Sequence, residues 1–164
     1  MSDWKALVKN KQEWGTLKYD DPRLDAFAKE VESRYSLPPN MLVALKNAGE
    51  RTNPWQVSPK GAKGIMQFMP KEAKQFAHDV SDPFASIDAA GRYMQELIKE
   101  NTQRFENLYG KEVMKPSKIY KAAIANYNGG PTQAKKVLQG EEPTAEETKN
   151  YLDRIMNYLN ENTQ

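Results

Sequence analysis

Apolar residues recur at helical spacing along most of this chain, in segments that open on a proline and stop at a glycine or before the next proline. That pattern commits the chain to helices and leaves little from which to build a sheet. "DDPRLDAFAKEVESRYS" places Asp21 as a cap and Pro22 at the first helical position, where a missing N–H costs nothing, with Leu24, Phe27, Ala28, Val31 and Tyr35 on one stripe. "LPPNMLVALKNAGE" restarts after Pro38 and Pro39, carries Met41, Leu42, Leu45 and Ala48 on its stripe and should end at Gly49–Glu50. "PKEAKQFAHDV" is a short helix from Pro70. "DPFASIDAAGRYMQELIKENTQRF" is the longest periodic run, capped by Asp82 and Pro83, with Ile87, Ala90, Met94, Leu97 and Ile98 in line. "KPSKIYKAAIANYNGGP" runs into a Gly-Gly-Pro stop, and "PTQAKKVLQG" and "TAEETKNYLDRIMNYLNENTQ" follow, Thr144 and Glu147 standing in capping-box spacing. Only Trp55 to Ser58 hint at a strand. The expected fold is mainly α, a compact single domain over residues 1–164 with at most a minimal β element.

Composition narrows the chemistry. The chain has no cysteine, which excludes disulfides and thiolate catalysis. Its only histidine, His78, reads as a helix-surface residue, so neither a Ser-His-Asp system nor a histidine-rich metal site can be assembled. The net charge of +2 is uneven: residues 141–164 sum to −4 and residues 1–140 to +6. A moderately basic body suits a polyanionic partner, yet no Lys/Arg run is interleaved with stacking aromatics, so nucleic acid is not expected. No apolar run approaches transmembrane length, and none at the N-terminus resembles a secretory core. The expectation is a monomer made in the cytoplasm, without membrane insertion.

Among many acids, Glu50 stands apart. Glu30, Glu32, Glu72, Glu96, Glu100 and Glu106 fall on polar faces of periodic helices, and Asp79, Asp82 and Asp88 read as helix-end or capping residues. Glu50 instead closes an apolar helix and faces a loop containing Pro54, Pro59, Gly61 and Gly64. A carboxyl held against apolar walls favours its protonated form and can give a proton to a departing sugar oxygen; the bland alternative is a surface acid before an ordinary loop. No convincing second carboxylate accompanies it, since no Asp or Glu lies between Glu50 and Glu72. A lone acid suits chemistry in which the substrate supplies its own nucleophile. In "AIANYNGGP", Asn126, Tyr127 and Asn128 meet an unwinding turn. Their amides and phenol could bind sugar hydroxyl and acetamido groups, or simply form a helix C-cap. Tyr151, in "ETKNYLDRI", reads by itself as a core tyrosine with its hydroxyl satisfied.

Glu50, "SPKGAKGIMQFMP", "AIANYNGGP" and "ETKNYLDRI" together resemble the successive motifs of the soluble lytic transglycosylase (SLT) family, relatives of goose-type lysozyme, over residues 41–155. "GIMQFMP" and "NYNGGP" are the most specific, and "DPFASIDAAGRYM" resembles the helix between that family's second and third motifs. The resemblance implies a lysozyme-like helical fold with Glu50 as the sole catalytic acid/base. It implies a sugar groove bordered by the loop after Glu50, Ser58 among its binding residues, and floored by Gly64, Ile65, Met66 and Gln67, with Met66 packing and Gln67 on a sugar. It makes Asn126, Tyr127 and Asn128 groove residues, and Tyr151 the tyrosine that approaches the catalytic carboxylate. One departure is "ERTNPWQVS": Arg51 stands where the family usually has Ser, and one residue is missing before Ser58. Arg51 is expected to point outward, since an inward guanidinium would keep Glu50 ionised.

The implied activity is cleavage of the β-1,4 bond between N-acetylmuramic acid and N-acetylglucosamine in peptidoglycan, forming 1,6-anhydromuramic acid, with no metal and no organic cofactor. A lysozyme-type hydrolase on the same fold, or a non-catalytic wall-binding module, are the rivals. With no export signal in the sequence given, the expectation is a bacteriophage product that reaches the cell wall through a holin or within the virion, or else a domain excised from a longer protein.

Overall fold

The computed structural model describes residues 3–162 and is mainly α-helical, with no β-strand among them. The chain divides into two units of dense internal contact, meeting between Arg92 and Tyr93.

In the first unit, α1 (Trp4–Val8) and α2 (Lys11–Trp14) precede α3 (Pro22–Arg34). Neither α1 nor α2 is long enough to show a period, and both were missed in the sequence. Aromatic packing accounts for them: Trp4 stands edge-on to Phe27 at 4.9 Å, Phe27 to Phe84 at 5.0 Å, and Trp14 lies 6.0 Å from Phe84. Helix α3 begins as expected, the Asp21 carboxylate accepting from the Arg23 N–H and Pro22 following it. Its stripe of Leu24, Phe27, Ala28 and Val31 is buried.

Glu32 departs from expectation. It is 4% exposed rather than solvated. Its carboxylate accepts hydrogen bonds from the backbone N–H groups of Asn40 and Leu42, both at 2.8 Å, and of Val43 at 3.1 Å. These are orphan donors at the start of α4 (Met41–Ala44), so an acid of α3 caps the next helix. Burial raises the Glu32 pKa, and the three N–H donors oppose that shift. Asn40 supplies no side-chain cap of its own and takes the left-handed conformation, φ 69°.

From α4 the helix continues without a break but widens into a π-helical turn over Leu45–Glu50. After a loop, α5 (Pro70–Gln75) is shorter than the sequence suggests, and His78 lies beyond it rather than on its surface. Helix α6 (Pro83–Tyr109) starts where expected, with Asp82 Oδ1 accepting from the N–H groups of Phe84 and Ala85. Asp88 is no cap: from within α6 it accepts from Arg34 at 2.6 Å and from the Tyr35 hydroxyl at 2.9 Å. Gly91 permits this close approach of α3, since a Cβ there would fall 2.4 Å from Val31 Cγ1.

In the second unit, α7 (Pro116–Gly129) and α8 (Pro131–Leu138) pack together, and α9 (Glu146–Asn162) packs on α7. Gly130 separates α7 from α8 with φ 84° and ψ −179°, a conformation essentially confined to glycine. The expected Thr144–Glu147 capping box does not form. Gln133 takes over, its Oε1 accepting from the Ala145 N–H and its Nε2 donating to the Thr144 hydroxyl.

Glu32→Gln tests the cap. The amide matches the carboxylate in size but turns an NH2 toward backbone donors, leaving a buried group unpaired. The variant should lose about 1–3 kcal/mol in urea denaturation. A solvated surface acid would show no change.

Candidate functional site

Glu50 ends the π-helical turn. A segment with i→i+5 bonding carries one residue more per turn than an α-helix, and such insertions occur frequently at functional sites. The turn is closed by the Arg51 N–H, which donates to the Lys46 carbonyl at 3.0 Å. Arg51 itself is left-handed, φ 56° and ψ 39°, which stops the helix directly after the carboxylate. Glu50 is half-buried, whereas the Arg51 side chain is exposed, as expected.

The loop that follows is tied to its own backbone. Lys63 is its hub, forming isolated antiparallel bridges with Val57 and Phe68, which is the minimal β element foreseen near Trp55–Ser58. Thr52 Oγ1 donates to the Gly64 carbonyl at 3.0 Å, and the Gly64 N–H donates to the Gln56 carbonyl at 2.9 Å. Gly64 is obligatory: its φ is +80°, and a Cβ would lie 2.4 Å from the Val80 carbonyl oxygen. Ser58 Oγ accepts from the Ala62 N–H at 3.0 Å, so this hydroxyl oxygen organises a turn. Ile65 and Met66 are fully buried, which makes their side chains the support beneath a floor and not its surface. Gln67 is half-buried and left-handed, φ 52°. Its Nε2 donates to the Gly64 carbonyl at 2.8 Å, leaving Oε1 available to accept from a ligand. No residue from Arg51 to Met69 is acidic.

The same loop exposes Trp55, and a shallow cleft of about 230 Å³ is lined by Lys11, Trp14, Gly15, Pro54, Trp55 and Ser81. An exposed indole offers the flat apolar face on which sugar rings stack. In the sequence Trp55 reads only as the start of a minimal strand, not as a sugar platform.

In the second unit, Asn126, Tyr127 and Asn128 form the last turn of α7 before Gly129. Asn126 is buried, and its Oδ1 accepts from Asn101 Nδ2 at 3.1 Å and from Arg104 at 2.9 Å. Asn128 Oδ1 accepts from the Thr148 hydroxyl at 2.8 Å, an approach that Gly129 allows because a Cβ there would lie 2.4 Å from Thr148 Oγ1. Tyr127 is half-buried with its ring 5.5 Å from that of Tyr93. Tyr151, on α9, is buried at 1% exposure. The amide oxygens of Asn126 and Asn128 thus hold the turn in place, and the tyrosine pair is the more available surface. Tyr93, Asn101, Arg104 and Thr148 were not foreseen, because each lies inside a periodic helix where its residue type is unremarkable.

Residues 26–152 match the model of the transglycosylase SLT domain. The chain belongs to this family. Its members are peptidoglycan lytic transglycosylases, and the match covers Glu50, the whole loop, the Asn126–Gly130 turn and Tyr151. Among the described residues no cluster of His, Asp or Glu is arranged to hold a metal ion, and no helix is long and apolar enough to cross a membrane.

His78 braces the loop from below, its ring edge-on to Phe68 at 4.8 Å. Both ring nitrogens are buried without a hydrogen-bond partner among the described residues. Burial lowers the His78 pKa from its usual 6.5, opposed by the nearby carboxylates of Asp79 and Asp82. The unfolded chain therefore binds the proton more readily than the folded one. Stability should be complete above about pH 6.5 and fall as the pH drops from there toward the folded-state pKa. Urea midpoints measured between pH 7.5 and about 5 should show this decline. The decline should vanish in His78→Leu; a parent midpoint flat across that range would contradict the assignment.

Proposed function

We propose that this SLT-family chain cleaves the β-1,4 bond between N-acetylmuramic acid and N-acetylglucosamine, with Glu50 acting first as acid and then as base. The observation that carries this reading is the position of Glu50: a half-buried carboxyl at the end of a π-helical turn, followed by a loop with no other acid. Most glycosidases that activate water use a second carboxylate as base or nucleophile. A single acid suffices when the nucleophile belongs to the substrate.

Protonated Glu50 donates to the glycosidic oxygen as the C1–O bond breaks, and the substrate's acetamido oxygen stabilises the positive charge at C1. Glu50, now a carboxylate, takes the proton from the 6-hydroxyl of the same muramic residue. That oxygen bonds to C1 and closes the 1,6-anhydro ring, so no water is consumed and Glu50 recovers its proton. A tethered hydroxyl has a high effective molarity, which lets it outcompete solvent. Gln67 Oε1 and the Tyr127 ring are the proposed sugar contacts of their respective units, while Ser58, Gly64, Ile65, Met66, Asn126 and Asn128 shape the backbone that presents them. Tyr151 is proposed to act through its hydroxyl.

Glu50→Gln retains size and hydrogen bonding but has no transferable proton. Its turnover of purified peptidoglycan should fall at least ~100-fold, the scale of general acid–base catalysis. A variant that clears a wall suspension at the parental rate would remove Glu50 from the mechanism.

Product analysis separates the possible chemistries. Mass spectrometry of a digest should show muropeptides ending in anhydromuramic acid, each one water lighter than a hydrolysis product. Reducing-end muramic acid as the main product would make the chain a hydrolase. Wall binding without soluble fragments would make it a binding module.

A further inference from the structure

Lys46 is the second residue of the π-helical turn and has no solvent exposure at all. Its ammonium has three N–H donors and three acceptors: the Tyr19 carbonyl and Asp25 Oδ1, both at 2.5 Å, and Asn47 Oδ1 at 2.6 Å. Asn47 Nδ2 donates to the same Asp25 oxygen at 3.1 Å, so two consecutive side chains of the turn are fastened to one carboxylate of α3. Burial lowers the Lys46 pKa, and the Asp25 charge opposes that shift. A buried ion pair of this kind adds little net stability, and well-packed apolar residues often serve as well.

The backbone of Lys46 links this anchor to the site, because its carbonyl accepts the Arg51 N–H, the first peptide group beyond Glu50. The side chain is therefore fixed to α3 while the carbonyl fixes the exit of the turn. The widened turn matters for direction. Reverting it to α-helix would remove one residue's worth of winding, and at 3.6 residues per turn that swings residue 50 by roughly 100° about the axis. A carboxyl so displaced would miss the glycosidic oxygen.

We infer that Lys46, locked to Asp25, Asn47 and the Tyr19 carbonyl, is the positioning residue that holds the π-helical turn and thereby aims the Glu50 carboxyl. This inference rests on Glu50 being the reacting acid. A ~1 Å misplacement of a reacting group can lower rates ~100-fold, and the loss falls on the chemical step.

Lys46→Met keeps the length of the side chain, removes the charge and leaves a buried site that can pack. With soluble glycan strands as substrate, kcat should fall ~10- to 100-fold while KM stays within about twofold, measured per folded molecule. Amide hydrogen exchange supplies a readout independent of activity: protection at Arg51 should drop selectively, while the α6 and α7 amides keep theirs. Asp25→Asn retains an acceptor without the charge and carries the same test, with a smaller kcat loss, should Lys46→Met fail to fold. Parental kcat in the folded variant, or Arg51 protection that changes only in step with global stability, would overturn the inference. If Glu50→Gln proves fully active while Lys46→Met still frees the Arg51 amide, the clamp stands and the catalytic reading falls.

Discussion

Two acids on one face of α3 determine where the candidate catalytic carboxyl sits. Asp25 and Glu32 are seven residues apart, two helical turns, and each engages a different end of the segment from Asn40 to Glu50. Glu32 satisfies the orphan N–H groups at the start of that segment, and Asp25 neutralises the buried Lys46 where it widens. Apolar packing alone would let the segment slide or rotate about its axis, since Leu, Val and Ala contacts carry little directional information. Charged hydrogen bonds are directional and costly to leave unmade, so they fix register and rotation together. A π-helical turn is rare; here Glu32 caps the α-helix that leads into it, and Asp25 holds its second and third residues.

The loop after Glu50 achieves rigidity by different means. Few of its residues reach the core, but Ile65, Met66 and Phe68 do, and they act as a keel. Above them the backbone bonds to itself through Lys63, Gly64 and Gln56, with Thr52 and Ser58 supplying side-chain oxygens. Backbone groups bonded to one another in this way hold the loop in one shape without a buried charge. The absence of any acid between Glu50 and Glu72 then has a chemical consequence. Nothing in this loop can act as a second carboxylate, so a base or nucleophile must come from another element or from the substrate.

The sequence was most informative where a residue type has one structural use. Asp21–Pro22, Asp82–Pro83 and Gly129–Gly130 marked helix boundaries because proline lacks a donor and glycine tolerates positive φ. The loop motif was legible for the same reason, since only glycine fits at residue 64 against the Val80 carbonyl. Polar residues buried by partners distant in sequence were not legible. Glu32 looks like any surface glutamate in "AKEVESRY", and its burial depends on backbone N–H groups that only the turn at Leu37–Asn40 brings within reach. Asp88 looks like a helix-end acid until Arg34 and Tyr35 are opposite it. The widening at Leu45–Glu50 leaves no trace in the apolar spacing, because Lys46 lies off the Met41–Leu45–Ala48 stripe and reads as solvated.

Arg51 illustrates how the same constraints act on a departure from the family pattern. A serine after the catalytic glutamate would place a small hydroxyl beside it; arginine places a long cation there. Its harm would come from ion-pairing with Glu50, which would hold the carboxyl ionised and deprive it of the proton that the proposed first step requires. The left-handed backbone at Arg51 turns the chain sharply at this residue, and the side chain emerges into solvent, where a guanidinium interacts only weakly with neighbouring charges. That conformation is unfavourable for a residue with a Cβ, and the bond from the Arg51 N–H to the Lys46 carbonyl helps to hold it. The Lys46 carbonyl that closes the widened turn therefore also meets the residue at which the chain turns and the cation leaves the helix.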